Sequence, residues 1–187
     1  MLNHLSFQPT DHQRAALSHL TSIVDIDSIH DCLILKGSAG TGKTTILKAA
    51  TDYLHAKNIC FELCAPTGRA AKVISSKSQR LASTMHSICY KVDDNGPEGK
   101  IKLLRKVNKN EDYTIYFVDE SSMISDWHSK SSNFITPGPL LSDFISFVKS
   151  GNIKNKIVFV GDSYQLPPVV PDLDQSKLFS PALTKEY

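Results

Sequence analysis

The sequence predicts an α/β fold with a mostly parallel sheet flanked by helices and interrupted by one small β-hairpin insertion. Three observations predict it: four short apolar runs, helical patterns between them, and a glycine-rich loop joining the first run to a helix. The runs are residues 32–35, 60–64, 115–118 and 157–160, each continuous and rich in Ile, Val, Leu or Phe. Such runs suit strands buried on both faces, as parallel strands are when helices cover them. A first helix is expected through Leu20, capped by Thr10 or Asp11. Further helices are expected over 43–56, 68–75, 84–90 and 140–149, the last before Gly151. Strands alternating with helices are the signature of a parallel sheet built from βαβ units.

Two segments break the alternation. Within 91–109, Asp93-Asp94-Asn95-Gly96-Pro97-Glu98-Gly99 supplies turn chemistry between strand-like flanks, one of them 101–107, which reads as the hairpin. Lys91, Lys100, Lys102, Arg105, Lys106 and Lys109 make it locally basic. Residues 129–139, rich in Ser, Asn, Pro and Gly, read as an exposed loop, and 167–187 offers neither another clear strand nor a long helix.

A chain of 187 residues suits one domain with a full core. A formal net charge of +2 announces no global field for nucleic acid, so any such contact needs a local patch. Cys32, Cys60, Cys64 and Cys89 have no zinc or C-x-x-C spacing and read as buried free thiols of a reducing compartment. No apolar run approaches a membrane span, and the first residues lack a signal-peptide pattern, so the expectation is a cytoplasmic protein with no membrane partner.

The glycine-rich loop is Gly37-Ser38-Ala39-Gly40-Thr41-Gly42-Lys43-Thr44, which fits G-x-x-x-x-G-K-[ST] in the strand–loop–helix context that gives this pattern meaning. Its backbone N–H groups can cradle an anionic phosphate at the positive end of a helix. Lys43 would reach the outer phosphates and the Thr44 hydroxyl would ligate magnesium, which points to a nucleoside triphosphate. The third run ends in Asp119-Glu120. Asp119 would hold the ion and Glu120 would polarise an attacking water, while without a cation the two carboxylates repel. The fourth run ends in Gly161-Asp162-Ser163-Tyr164-Gln165-Leu166-Pro167-Pro168, where the uncharged amide of Gln165 can donate to a γ-phosphate; alone, this stretch reads equally well as an ordinary turn.

Together these residues resemble superfamily 1 DNA helicases, especially the 5′-to-3′ group of RecD-like and Dda-like proteins. The resemblance lies in residues 37–45 (motif I), Ala65-Pro66-Thr67-Gly68-Arg69-Ala70-Ala71 (motif Ia), Val118-Asp119-Glu120-Ser121-Ser122-Met123 (motif II) and 161–168 (motif III). Ser83-Thr84-Met85-His86-Ser87 resembles the T-x-H-S element, and Gln13-Arg14-Ala15-Ala16-Leu17 the Q motif. The resemblance implies a P-loop NTPase of RecA-like fold over 1–187, taking ATP and Mg2+. It implies that Gln13 binds adenine; that Gly37, Ser38, Ala39, Gly40, Thr41, Gly42, Lys43, Thr44 and Thr45 hold the phosphates; and that Thr44 and Asp119 hold the metal. Lys43, Glu120 and Gln165 would be catalytic. Pro66, Thr67, Arg69, Thr84 and His86 would face single-stranded DNA, and 91–109 would be a strand-separating pin, although its turn lacks an aromatic residue to stack on a base pair.

Nothing after Gln165 matches the family's later motifs, so the expected chain is the first half of a motor. Its partner would be a second RecA-like domain, from the same parent chain or from another protein. Two other readings stand beside this one. A P-loop kinase of a small molecule would need an arginine-rich lid, and a non-catalytic nucleotide-binding module would not need Lys43, Thr44, Asp119 and Glu120 intact.

Overall fold

A computed structural model describes residues 1–5, 7–93, 100–124 and 134–162. Helix α1 (Asp11–Ile23) starts at Thr10, whose hydroxyl accepts from the Gln13 N–H while the Gln13 side chain accepts from the Thr10 N–H, a reciprocal capping box. Strand β1 (Cys32–Lys36) leads through the glycine-rich loop into α2 (Lys43–Ala56), and β2 (Cys60–Ala65) leads into α3 (Gly68–Ser78). Strand β3 (Ala82–Thr84) then passes into a short helix, α4 (Met85–Cys89). The hairpin strands are β4 (Tyr90–Asp93) and β5 (Ile101–Arg105). They are followed by β6 (Thr114–Val118), β7 (Phe134–Ile135), α5 (Leu140–Gly151) and β8 (Lys156–Gly161).

The main sheet has the order β1-β8-β6-β2-β3, and every neighbouring pair is parallel. Alternation along its strands divides the core in two. Ile115 and Phe117 of β6, with Val158 and Val160 of β8, face α1, α2 and α3 through Leu17, Leu20, Ile46, Leu47, Leu54 and Ile74. Tyr116 and Val118, with Ile157 and Phe159, face α4 and α5 through Met85, Cys89, Leu141, Phe144 and Val148. A strand that feeds two cores is apolar along its middle, as residues 115–118 and 157–160 are, and β6 and β8 are buried throughout, with Thr114 and Lys156 at their starts held by polar partners. Each such side chain contributes about 1.5–3 kcal/mol by leaving water.

The four expected strands and five expected helices are present, with ends moved by at most three residues. Three corrections concern pairing. Strand β3, too short to carry a pattern, adds to the main sheet by pairing with β2 at Leu63↔Ala82 and Ala65↔Thr84. Phe134 and Ile135, expected in a loop, form β7 beside β5, so the hairpin belongs to a three-stranded sheet. Strand β1, expected to be covered on both faces, is an edge strand and only half-buried. Among the thiols, Cys64 and Cys89 are buried as expected, Cys32 is half-buried and Cys60 is exposed.

The small sheet is anchored by one acid. Asp143 of α5 is 1% exposed; its Oδ2 accepts from the Tyr90 hydroxyl at 2.7 Å and its Oδ1 pairs with Arg105 Nε at 3.0 Å. Burial, with the hydrogen bond to Asp143, raises the Tyr90 pKa. Arg105 is therefore spent on the fold, as are Lys102, paired with Asp93 at 2.8 Å, and Lys106, which donates to Ser87 O at 2.6 Å. Lys91, Lys100 and Lys109 are exposed. The hairpin turn at 94–99 lies outside the described residues, as do most of the expected loop and the tail.

Candidate nucleotide site

The loop after β1 continues the sheet for one more bond, Gly37 N–H to Gly161 O at 3.1 Å, and then leaves it. Gly40 and Gly42 have φ of +80° and +90°, a left-handed backbone that side chains resist, and Gly42 is the residue from which α2 starts. Thr41 closes the turn through its N–H and hydroxyl, both donating to Ser38 O. Lys43 folds back so that its ammonium donates to Gly37 O at 2.5 Å and Ser38 O at 3.0 Å. The lysine thus lies along the inner wall of the loop, ready to exchange those carbonyls for phosphate oxygens.

Gln13 reaches the same loop from α1: its Nε2 donates to Thr41 O at 3.0 Å. A Cβ at Gly42 would come within 2.8 Å of that nitrogen, so the glycine also admits the glutamine. The amide expected at an adenine is here tied to the phosphate loop and to the cap of α1.

Opposite the loop, β6 delivers Asp119 and Glu120 on the central strand of the sheet. Asp119 is 8% exposed, and its N–H donates to Cys64 O. Burial raises its carboxyl pKa; the Glu120 charge adds to the rise, while a backbone bond and the charges of Lys43 and Lys77 oppose it. Glu120 has φ +52°, an uncommon conformation for a residue with a side chain. Its Oε2 is buried without a hydrogen-bond partner, as is the Ser122 hydroxyl. A buried carboxylate oxygen left open beside a second acid suits a cation or a water.

Loop and acids enclose a cavity of about 530 Å³ lined by Ala39, Gly40, Gly42, Lys43, Thr44, Thr45, Lys48, Lys77, Asp119 and Glu120. The donors there fit magnesium: the Thr44 hydroxyl and the Asp119 carboxylate are hard oxygen ligands, and Glu120 lines the same cavity. Two lining residues, Lys48 and Lys77, were not anticipated. Lys48 lies one helical turn beyond Thr44, a spacing that could have signalled it, whereas Lys77 arrives from α3 with no local signature.

The residues expected at DNA follow the carboxyl ends of β2 and β3, the end of the sheet at which the acid pair follows β6. The register Ala65↔Thr84 sets the start of the segment with Pro66, Thr67 and Arg69 level with Thr84, which His86 follows by two residues. Thr67 and Thr84 also cap helices, accepting from Ala70 N and Ser87 N. Arg69 is exposed; His86 is exposed beside Tyr90, and burial of part of its ring lowers its pKa. Gln165 and the rest of 163–168 lie outside the described residues. No helix among the described residues is long and apolar enough to cross a membrane.

Comparison with known proteins bears on the family and the fold. The family described as "AAA domain" matches residues 21–171. The ATP-dependent RecD2 DNA helicase of Deinococcus radiodurans is 32% identical over 148 residues, 79% of this chain and 18% of that protein. An uncharacterised protein of Methanocaldococcus jannaschii is 34% identical over 147 residues, 73% of this chain and 11% of its own length. The chain therefore spans less than a fifth of either relative. In fold it is similar to the Pif1 helicase of Candida albicans, with a TM-score of 0.59 and 22% identity over 93% of this chain and 37% of that one.

Proposed function

The chain belongs to the AAA-domain family, as a RecA-like ATPase domain of the superfamily 1 helicase type, and on that premise we propose that it binds and hydrolyses ATP to drive movement on single-stranded DNA. The observation that carries the reading is the setting of Glu120, which lines the cavity together with the phosphate loop and keeps a buried oxygen without a hydrogen-bond partner. The loop N–H groups and Lys43 would hold the phosphates, and Thr44 and Asp119 would hold magnesium, which supplies charge neutralisation when bound. Glu120 would take the proton of the attacking water. Gln13 would meet the adenine from its position on the loop, and Gln165 would contact the γ-phosphate.

DNA would lie across the ends of β2 and β3, its phosphates held by Thr67, Arg69, Thr84 and His86, with Pro66 shaping the surface. Hydroxyls and arginine hold a backbone without reading sequence. A second RecA-like domain would close the cleft and supply arginines, which can be worth about 10³–10⁵ in rate. The chain alone should therefore bind nucleotide and turn it over slowly. The hairpin at 91–109 would act as the strand-separating pin of the assembled motor, in the cytoplasm.

The test is nucleotide binding and steady-state ATP hydrolysis, with and without a single-stranded oligonucleotide, in wild type and Lys43→Ala. Lys43-dependent binding with slow turnover supports the reading. Vigorous turnover indifferent to DNA and to Lys43 would overturn it.

A further inference from the structure

Three lysines line the cavity, and they differ in what holds them. Lys43 is bound by two loop carbonyls, and Lys48 pairs with Asp52 at 2.7 Å. Lys77 lines the same cavity yet has no hydrogen bond or ion pair among the described residues. Its ammonium is uncommitted, although the backbone that presents it is firmly tied. The Ser78 hydroxyl donates to Ile74 O at 2.7 Å and accepts from Arg80 N. The Ala82 N–H donates to Ser75 Oγ at 2.8 Å. Arg80 also reaches Asp52 of α2 at 3.2 Å, fastening the end of α3 to the helix that follows the phosphate loop.

We propose that Lys77 is a further phosphate-binding residue of this site, contacting the terminal phosphate of a bound nucleoside triphosphate. The inference deepens the ATP reading and rests on it. A magnesium triphosphate keeps net negative charge after the ion and Lys43 are counted, and Asp119 and Glu120 add more. The loop N–H groups surround the inner phosphates from the α2 side. Lys77 lines the cavity together with the acids, and its charge acts on the Asp119 carboxyl. A cation there neutralises charge where the outermost phosphate must lie, between the acids and Lys43. Lysine suits the task, being a flexible point charge that reaches across an open cavity.

The experiment is an equilibrium titration, in magnesium, of wild type, Lys77→Ala, Lys77→Arg and Lys72→Ala with a fluorescent non-hydrolysable ATP analogue and with fluorescent ADP. Lys72 is an exposed lysine of the same helix outside the cavity. Loss of one charge-assisted contact predicts that Lys77→Ala weakens the triphosphate about tenfold and changes ADP affinity by less than about twofold. Lys77→Arg should restore most of the loss, and Lys72→Ala should bind as wild type does. Equal affinity of Lys77→Ala and wild type for the triphosphate overturns the inference while leaving the ATP reading intact. An equal loss for both nucleotides also overturns it, since Lys77 would then act only as a distant field. If wild type binds neither nucleotide, the ATP reading falls and this inference with it.

Discussion

Two buried aspartates among the described residues, Asp143 and Asp119, are treated in opposite ways. At the base of the small sheet, Asp143 is 1% exposed and fully engaged by Tyr90 and Arg105. At the end of the main sheet, Asp119 is 8% exposed and held above its ordinary pKa, and its neighbour Glu120 keeps a buried oxygen with no partner. Burial alone does not separate a structural acid from a functional one. Satisfaction does: Asp143 ties α5 to the hairpin, whereas Glu120, beside Asp119 at the cavity, keeps an oxygen without a partner.

This contrast can be broken in several ways. The largest effect is expected from Glu120→Gln, which keeps size and removes the base: single-turnover ATP hydrolysis should fall about 10²–10⁴-fold while nucleotide affinity holds. Unchanged hydrolysis would reassign the base. Asp143→Ala should do the reverse, leaving nucleotide affinity alone but costing about 3 kcal/mol in urea denaturation, because the Tyr90 hydroxyl loses its acceptor and Arg105 its counter-ion. Stability within about 0.5 kcal/mol of wild type would show that water replaces the carboxylate.

Lys43→Ala should reduce nucleotide affinity about 100-fold in the same titration, with thermal stability nearly unchanged, since among the described residues that lysine bonds to its own loop. The smallest effect concerns His86, whose folded pKa lies below the usual imidazole value because burial disfavours its charged form. The folded state binds that proton less readily than the unfolded chain. This contribution to stability is present above the unfolded pKa of about 6.5 and is lost as pH falls through the lower folded value. His86→Gln should therefore flatten the fall of Tm between pH 7 and the acid side; solvent screening of an exposed ring limits the gain to about 0.5 kcal/mol. An identical pH profile in the variant would exclude His86 as a source of the slope.

The parts of this contrast differ in how openly the sequence displays them. The phosphate loop and the acid pair are local patterns beside buried strands, so their residues and setting could be read directly. The strands β3 and β7 could not, because three and two residues hold no periodicity and pairing with neighbours alone makes them strands. The half-buried state of β1 escaped for a related reason: an apolar run specifies a strand but not its place in the sheet. Lys77 depends on where α3 ends relative to β6, a tertiary fact. The partners of Asp143 come from Tyr90 and Arg105, 53 and 38 positions away, and no local spacing announces such a meeting. Thr67 and Thr84 were legible as motif members, yet their service as helix caps shows that one hydroxyl can shape a loop and stand at its surface.

The position of β1 at the sheet edge has a kinetic consequence. The phosphate loop hangs from an edge strand with a single hydrogen-bonded neighbour, whereas the acid pair hangs from the central strand. A ligand held by both would bridge β1, β8 and β6 at their shared end, stapling the outermost strand to the middle of the sheet. Amide hydrogen exchange should then slow most in β1 on saturation with nucleotide and least in β6, whose amides are already shielded on both sides.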